Sequence, residues 1–312
     1  MNPTQLALVA AQLLALLVLP VVMLGLINRV KSFWAGRRGP GLLQPYADMR
    51  RLLRKEPVYS NVTTEMFRLG PVVALATSLV AGMLTPLLGP LSPLAFPLDF
   101  IAFAYVLGLG RVFLMIAALD TGSAFEGMGA AREATYAALL EPALLLVLGT
   151  LALATGDSTF AGLLSWSDLG PFALVVKALC FVVLLILLQV EAARMPIDDP
   201  NTHLELTMIH EVMILDHSGP DLAILQYAAG LKLTVCAALI AGLLNPVSWA
   251  TQPWTGAAVA LGLMLAVAVL IGTIESLIAR IRMRAIPRYI SLAMVTGVLA
   301  LFLVVLRSEG LS

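Results

Sequence analysis

Cysteine, histidine and charge are all scarce in this sequence, and each shortage removes a class of chemistry. Two cysteines, Cys180 and Cys236, stand singly among 312 residues. An iron–sulfur cluster draws about four thiolates from its site, so this chain is expected to hold no such carrier by cysteine. Lone thiols inside apolar runs are expected as small buried side chains. The three histidines, His203, His210 and His217, repeat every seven residues. On a helix with ~1.5 Å rise per residue, neighbours in that repeat stand about 10 Å apart, too far to share one metal. His210-Glu211 begins no zinc-protease motif, because position 214 is Ile. No phosphate-binding loop, dinucleotide fingerprint or zinc spacing is present, so neither a cofactor nor a metal is expected in this chain. Charged residues make up 12% and the formal net charge is +0, so no nucleic-acid partner is expected.

What is abundant is apolar surface, at 60% of residues, and the mean hydropathy is strongly positive. Lipid is the solvent that suits such a chain. Apolar runs near the ~20 residues that a spanning helix needs occur at roughly 5–27, 71–91, 98–119, 134–154, 171–191, 222–245, 255–278 and 289–306. The expected fold is therefore all-α, a single polytopic transmembrane domain over 1–312 with eight spans. The first run has no Lys or Arg before it and exceeds the apolar region of a signal peptide, so it reads as a retained span.

Basic residues orient the spans. Arg29, Lys31, Arg37, Arg38, Arg50, Arg51, Arg54, Lys55 and Arg68 follow the first span, Arg132 the third, Arg194 the fifth, and Arg280, Arg282, Arg284 and Arg288 the seventh. Only Arg307 falls on the other side, so these loops are expected in the cytoplasm and both termini outside. In the basic loop 28–70, Leu42, Tyr46, Met49 and Leu53 recur at helical spacing while Asp48, Arg50, Arg51, Arg54 and Lys55 take the other sides. A short amphipathic helix at the membrane surface fits, with lipid headgroups as its simplest partner. Arg37-Arg38-Gly39-Pro40-Gly41 before it specifies a tight backbone that headgroup attraction does not require.

The loop 192–221 is acidic. Glu191 precedes it, and it holds Asp198, Asp199, Glu205, Glu211, Asp216 and Asp221 against Arg194. Asp199-Pro200 reads as an N-cap followed by proline at the first helical position, opening a helix over about 200–215. On that helix His203, Thr207, His210 and Glu211 share one stripe, and Glu205 points among Met208, Ile209 and Val212. A carboxylate among apolar side chains has its charged form disfavoured and titrates nearer neutrality, as a proton relay requires. The alternative is a solvated acidic surface. Glu141, two turns into the fourth run, is either an intramembrane acid or an interfacial one if the span begins at Pro142. Glu275 lies near the cytoplasmic edge, where a structural pair with a nearby arginine competes with a relay role. Among the intramembrane cations, Lys177 is placed to snorkel. Arg111 and Lys232 either neutralise the Glu141 group or meet a neighbouring subunit.

Several of these segments together resemble a known family. Arg37-Arg38-Gly39-Pro40-Gly41 with the following Gly-Leu-Leu-Gln-Pro (41–45), Ala47-Asp48 and Leu52-Leu53-Arg54-Lys55-Glu56 is similar to the first cytoplasmic loop of the membrane-anchor subunit shared by respiratory complex I and energy-converting nickel–iron hydrogenases. Arg132 with Glu141, Glu191-x-x-Arg194-x-Pro196-x-Asp198, and Glu275 with Ala279-Arg280 and Pro287-Arg288 resemble later parts of it. The resemblance implies a hinge between a soluble electron-transfer arm and antiporter-like membrane subunits. The nickel–iron centre and iron–sulfur clusters are then expected in hydrogenase-like large and small partner subunits, in a prokaryotic cytoplasmic membrane.

On that reading Arg37, Arg38, Arg50, Arg51, Arg54 and Lys55 form a docking surface. Glu141, Glu191, Asp198, Asp199, His203, Glu205, His210, Glu211 and Glu275 are the proton-relay candidates, with export of protons or sodium. Quinone-linked members resemble Phe-Asp followed by alternate glutamates, where this chain reads Ile197-Asp198-Asp199-Pro200-Asn201-Thr202-His203-Leu204-Glu205. That departure argues against a quinone site and looks like the anchors of hydrogenase-4 and archaeal membrane-bound hydrogenases. A complex I-like quinone reductase and an independent ion carrier remain the other readings; the halves of the sequence show no internal repeat such as a carrier would have.

Overall fold

The structure, a computed structural model, describes residues 3–89, 91–166, 168–198, 208–247, 249, 252–308 and 310. The helices run in the order α1 (Pro3–Trp34), α2 (Gln44–Leu52), α3 (Glu65–Leu84), α4 (Asp99–Asp120), α5 (Ala124–Thr155), α6 (Phe160–Leu163), α7 (Pro171–Glu191), α8 (His210–Met213), α9 (Gly219–Leu244), α10 (Pro253–Leu277) and α11 (Ile286–Ser308). All except α2, α6 and α8 are long and apolar enough to cross a membrane. No strand occurs among the described residues. The chain is an all-α, multi-pass membrane protein, as its apolar runs predict.

Local chemistry sets the helix ends. Pro171, Pro220 and Pro253 sit in the first turns of α7, α9 and α10, where the missing N–H costs nothing. Thr64 caps α3 by accepting the Met66 N–H at 3.2 Å. The Asp120 carboxylate at the end of α4 accepts the Thr64 N–H at 2.6 Å and the Phe67 N–H at 3.3 Å, placing an anion at the positive end of α3. Gly156 ends α5 in the left-handed region, φ 73°. At the opposite end of the bundle, buried Asp99 accepts the Phe160 N–H at 2.7 Å and ties α4 to α6.

The centre belongs to α9, 83% of whose most apolar stretch is buried. It packs against α1, α3, α7 and α10. Close approach to α1 depends on Gly230, where a Cβ would stand 3.2 Å from the Pro20 Cβ. The helix α2 lies across the end of this pair, with Met49 buried against Val21 and Ala223. It is shorter than the pattern predicts, leaving Leu42 and Leu53 outside.

Two expectations need correction. The fourth span begins at Ala124 and runs through Pro142 without a break, ten residues earlier than its apolar run. Glu126, Arg132 and Glu133 interrupt the hydropathy but not the helix, because each meets a polar group from a distant segment. Glu126 accepts the Asp216 N–H at 3.0 Å, Arg132 donates to the Met208 carbonyl at 2.7 Å, and Glu133 faces Arg111 at 3.2 Å. Arg132 is thus helical and not in a loop. The second correction concerns the helix expected over 200–215. Met208 and Ile209 are non-helical and α8 covers only His210–Met213. The Asp198 carboxylate accepts the Ile209 N–H at 3.1 Å and the His210 N–H at 2.9 Å, so a tertiary cap starts the helix there. Asp199, Pro200, His203 and Glu205 lie outside the described residues.

Candidate functional site

Arg111 is the hub of a buried charge group. It sits midway along α4 and is only 4% exposed. Gly108 leaves room beside it, since a Cβ there would stand 3.2 Å from the Glu141 Oε1. One Arg111 Nη donates to Glu141 Oε1 at 2.7 Å and the other to Glu191 Oε2. Its Nε faces Glu133 Oε1 at 3.2 Å. The other oxygen of Glu191 lies 3.2 Å from Lys232 Nζ on α9. Helices α4, α5, α7 and α9 thereby bring three carboxylates and two cations together. Among the described residues, Glu191 Oε1 and Arg111 Nε meet their opposite charges as ion pairs and have no hydrogen bond. Glu141 is the open member, its side chain 50% exposed on the outer face of α5.

A second group lies between the ends of α1, α7 and α10. Glu275, whose side chain is fully buried, pairs with Lys31 at 2.9 Å and Arg194 at 3.4 Å. Asp198 accepts from Arg280 at 3.0 Å through the oxygen that does not cap α8. The arginine expected to pair with Glu275 is therefore neither Arg280 nor another close in sequence. It is Arg194, brought from the end of α7, with Lys31 from α1.

His210 stands between the groups. Its backbone N–H is held by Asp198, and the residue lines one small cavity with Asp198 and Glu133 and another with Glu191 and Lys232. Burial, reinforced by the Lys232 charge, pushes its pKa down to about 4, with Glu191 opposing, so the ring is neutral at physiological pH. Glu211, also on α8, is half-buried. His217 is separate from both groups. It stacks on Phe67 at 4.0 Å, neither ring nitrogen has a hydrogen bond among the described residues, and burial pushes its pKa down to about 4. Lys177 donates to the Trp166 carbonyl at 2.6 Å, reaching the loop at its end of the bundle.

Of the relay candidates, Glu141, Glu191, Asp198, Glu275 and His210 thus converge on two adjoining groups, together with Arg111 and Lys232. Glu133 and Lys31 are members that sequence reasoning does not single out. Glu133 carried one available signal, since it lies two helical turns from Glu141 on an amphipathic continuation of the same span. Arg37, Arg38, Arg50, Arg51, Arg54 and Lys55 are all exposed around α2. Among the described residues, no group of His, Cys, Asp and Glu is arranged to hold a metal ion.

Membrane-spanning helices wrapped round buried, paired charges define a polytopic membrane protein. The chain belongs to the NADH dehydrogenase family, whose profile matches residues 7–306. It is 32% identical over 236 residues to hydrogenase-4 component C of Escherichia coli (strain K12), covering 76% of this chain and 74% of that protein. It is 29% identical over 290 residues to formate hydrogenlyase subunit 4 of the same organism, covering 89% and 91%. The fold matches a chain of the membrane-bound sulfane sulfur reductase, an archaeal respiratory membrane complex, with TM-score 0.76 at 18% identity, over 95% of this chain and 99% of that chain.

Proposed function

We propose that this chain is the membrane-anchor and coupling subunit of a hydrogenase-type, energy-converting complex in a prokaryotic cytoplasmic membrane. The observation that carries the coupling role is the Arg111 group. Three carboxylates against two cations reach neutrality by holding one proton, so the group can take up and release a proton without stranding a large net charge in lipid. Turnover in a docked soluble arm, built on hydrogenase-like large and small subunits, shifts the electrostatics of the acidic loop, with Glu205 and Glu211 in it. Charge then passes through Glu191 to Glu141. The half-exposed Glu141 hands it to an antiporter-like membrane subunit, which exports protons or sodium. The soluble partners hold the nickel–iron centre and iron–sulfur clusters.

Glu141→Gln tests this in the intact complex reconstituted into liposomes. The expected outcome is an assembled complex that turns over but acidifies the lumen little or not at all; undiminished pumping sinks the reading. Docking is tested apart from it. Replacing Arg37 and Arg38 together with Ala should release the soluble subunits from washed membranes, and full retention would contradict a docking role for that turn.

A second reading, a quinone-linked complex, has one specific observation in its favour. An apolar groove of about 340 Å³ runs under α2, lined by Leu17, Val21, Tyr46, Met49 and Tyr227 among others. It is within the size of a small-molecule site, and quinone-dependent activity of the isolated complex would select this reading.

A further inference from the structure

Helix α2 is fastened to the bundle at two points and leaves a hollow beside them. The backbone at Leu42 rests on Gly25 of α1, where any Cβ would collide with the Leu42 carbonyl oxygen. Met49 is buried against Val21 and Ala223. Next to these contacts runs the apolar groove of about 340 Å³, with walls from α1, α2, α3 and α9. Packed interiors leave few voids larger than a water molecule, so a groove of this volume beside a membrane-spanning helix is a space for a ligand to fill.

The groove is graded from end to end. Leu17, on its α1 wall, lies two turns, ~12 Å, further along that helix than Gly25. It is 53% exposed among the apolar residues of a span, so this end opens toward lipid. At the α2 end Arg50 supplies the only charge in a lining of ten residues, seven of them apolar. Arg50 is exposed and, among the described residues, meets no carboxylate, since Asp48 nearby pairs with Arg51 at 3.2 Å. Residues 29–56 hold eight Lys and Arg against Asp48 and Glu56, so the field around the mouth favours an anion. The Tyr227 hydroxyl is spent on the Leu17 carbonyl at 2.8 Å, which leaves Tyr46 and Arg50 as the side-chain donors of the lining. These two stand four residues apart on one face of α2. Donors on a single wall suit one polar head at the edge of the groove, whereas a quinone ring carries carbonyls on opposite edges.

We infer that the groove binds one anionic phospholipid, with an acyl chain along Leu17 and Val21 and the phosphodiester at Arg50. This gives Arg50 to lipid and leaves Arg37 and Arg38 to the docking surface.

The site is read by photolabelling the full chain, in its complex, reconstituted into phosphatidylcholine vesicles. The vesicles carry a trace of phosphatidylglycerol with a diazirine near the end of one acyl chain, and labelled peptides are mapped by mass spectrometry. Label should concentrate on Leu17 and Val21 over Val295 and Phe302, which are exposed on α11. Excess phosphatidylglycerol should displace it, and excess phosphatidylcholine should not. Arg50→Gln should lower groove labelling roughly five-fold, as expected for the loss of one basic contact to an anionic lipid. Leu17→Trp narrows the apolar end, keeps every charge and should lower it as well, which keeps the test decisive if Arg50→Gln fails to assemble. Equal labelling by a phosphatidylcholine analogue means ordinary bulk lipid and overturns the proposal. Displacement by a short-chain quinone overturns it in favour of the quinone-linked reading. An unlabelled groove in the intact complex means that another subunit covers it, and overturns it too.

Discussion

The two buried charge groups lie close along one bundle and carry opposite surpluses. Counted among the described residues, the inner group sets Glu133, Glu141 and Glu191 against Arg111 and Lys232. The outer group sets Asp198 and Glu275 against Lys31, Arg194 and Arg280. A group with one acid too many becomes neutral by binding a proton. In the outer group the arginines keep their protons and Asp198 is held by two backbone donors as well as by Arg280, so its charges are fixed in place. The same ingredients therefore suit one group to carry protons and the other to fix backbone, which Asp198 does by capping α8.

The sharpest way to break that contrast is at the hub. Arg111→Leu leaves three carboxylates without their shared cation, and removing one partner of a buried pair costs about 3–5 kcal/mol. Arg280→Leu removes a partly exposed arginine from a carboxylate that keeps two backbone donors, so it should cost distinctly less. Recovery of folded protein after graded heating in detergent compares them. Equal losses would mean that the inner group is no more dependent on its cation than the outer.

Next in size is a divergence between transport and stability. Glu141→Gln keeps a hydrogen-bond acceptor for Arg111 at a half-exposed site, so assembly should persist while ion transport fails. Glu275→Gln removes the fully buried anion that Lys31 and Arg194 share, so stability should fall by about 1–3 kcal/mol, with transport per surviving complex little changed. The reverse pattern would exchange the roles of the two groups.

Much of the fold was legible because lipid imposes a simple rule: each span needs about 20 apolar residues, and eight such runs are written in the chain. Legibility failed where charges enter helices. The fourth run reads as beginning at 134, with Arg132 in the loop before it, whereas partners on distant segments carry Glu126, Arg132 and Glu133 into α5. Glu141 was legible as a lone carboxylate in an apolar run, and Glu191 and Asp198 as acids at the edge of one. Their pairing was not, since Arg111 meets residues 30 and 80 positions away. Glu275 shows the same limit, because Lys31 reaches it from the far end of the sequence. The helix expected over 200–215 fails at 208–209, where the Asp198 carboxylate, from outside the segment, caps a short helix that begins at His210.

The smallest expected effect extends the contrast to a base that has no acid at all. His217 is buried as a neutral ring on Phe67, with its pKa lowered from 6.5 to about 4. In the unfolded chain it takes a proton below about pH 6.5, while the folded protein refuses one until about pH 4. The unfolded state thus binds more protons across that window, and stability falls as pH drops through it. His210, with the same downward shift, adds a parallel loss. Each ring should remove about 1 kcal/mol between pH 7 and about pH 5.5. His217→Phe preserves the stack and has no proton to gain, so its melting temperature should decline with pH about half as steeply as that of the unaltered protein. An undiminished slope would mean that the acid sensitivity arises in the paired groups, and that the two surpluses, rather than the unpaired ring, govern how this end of the bundle answers to pH.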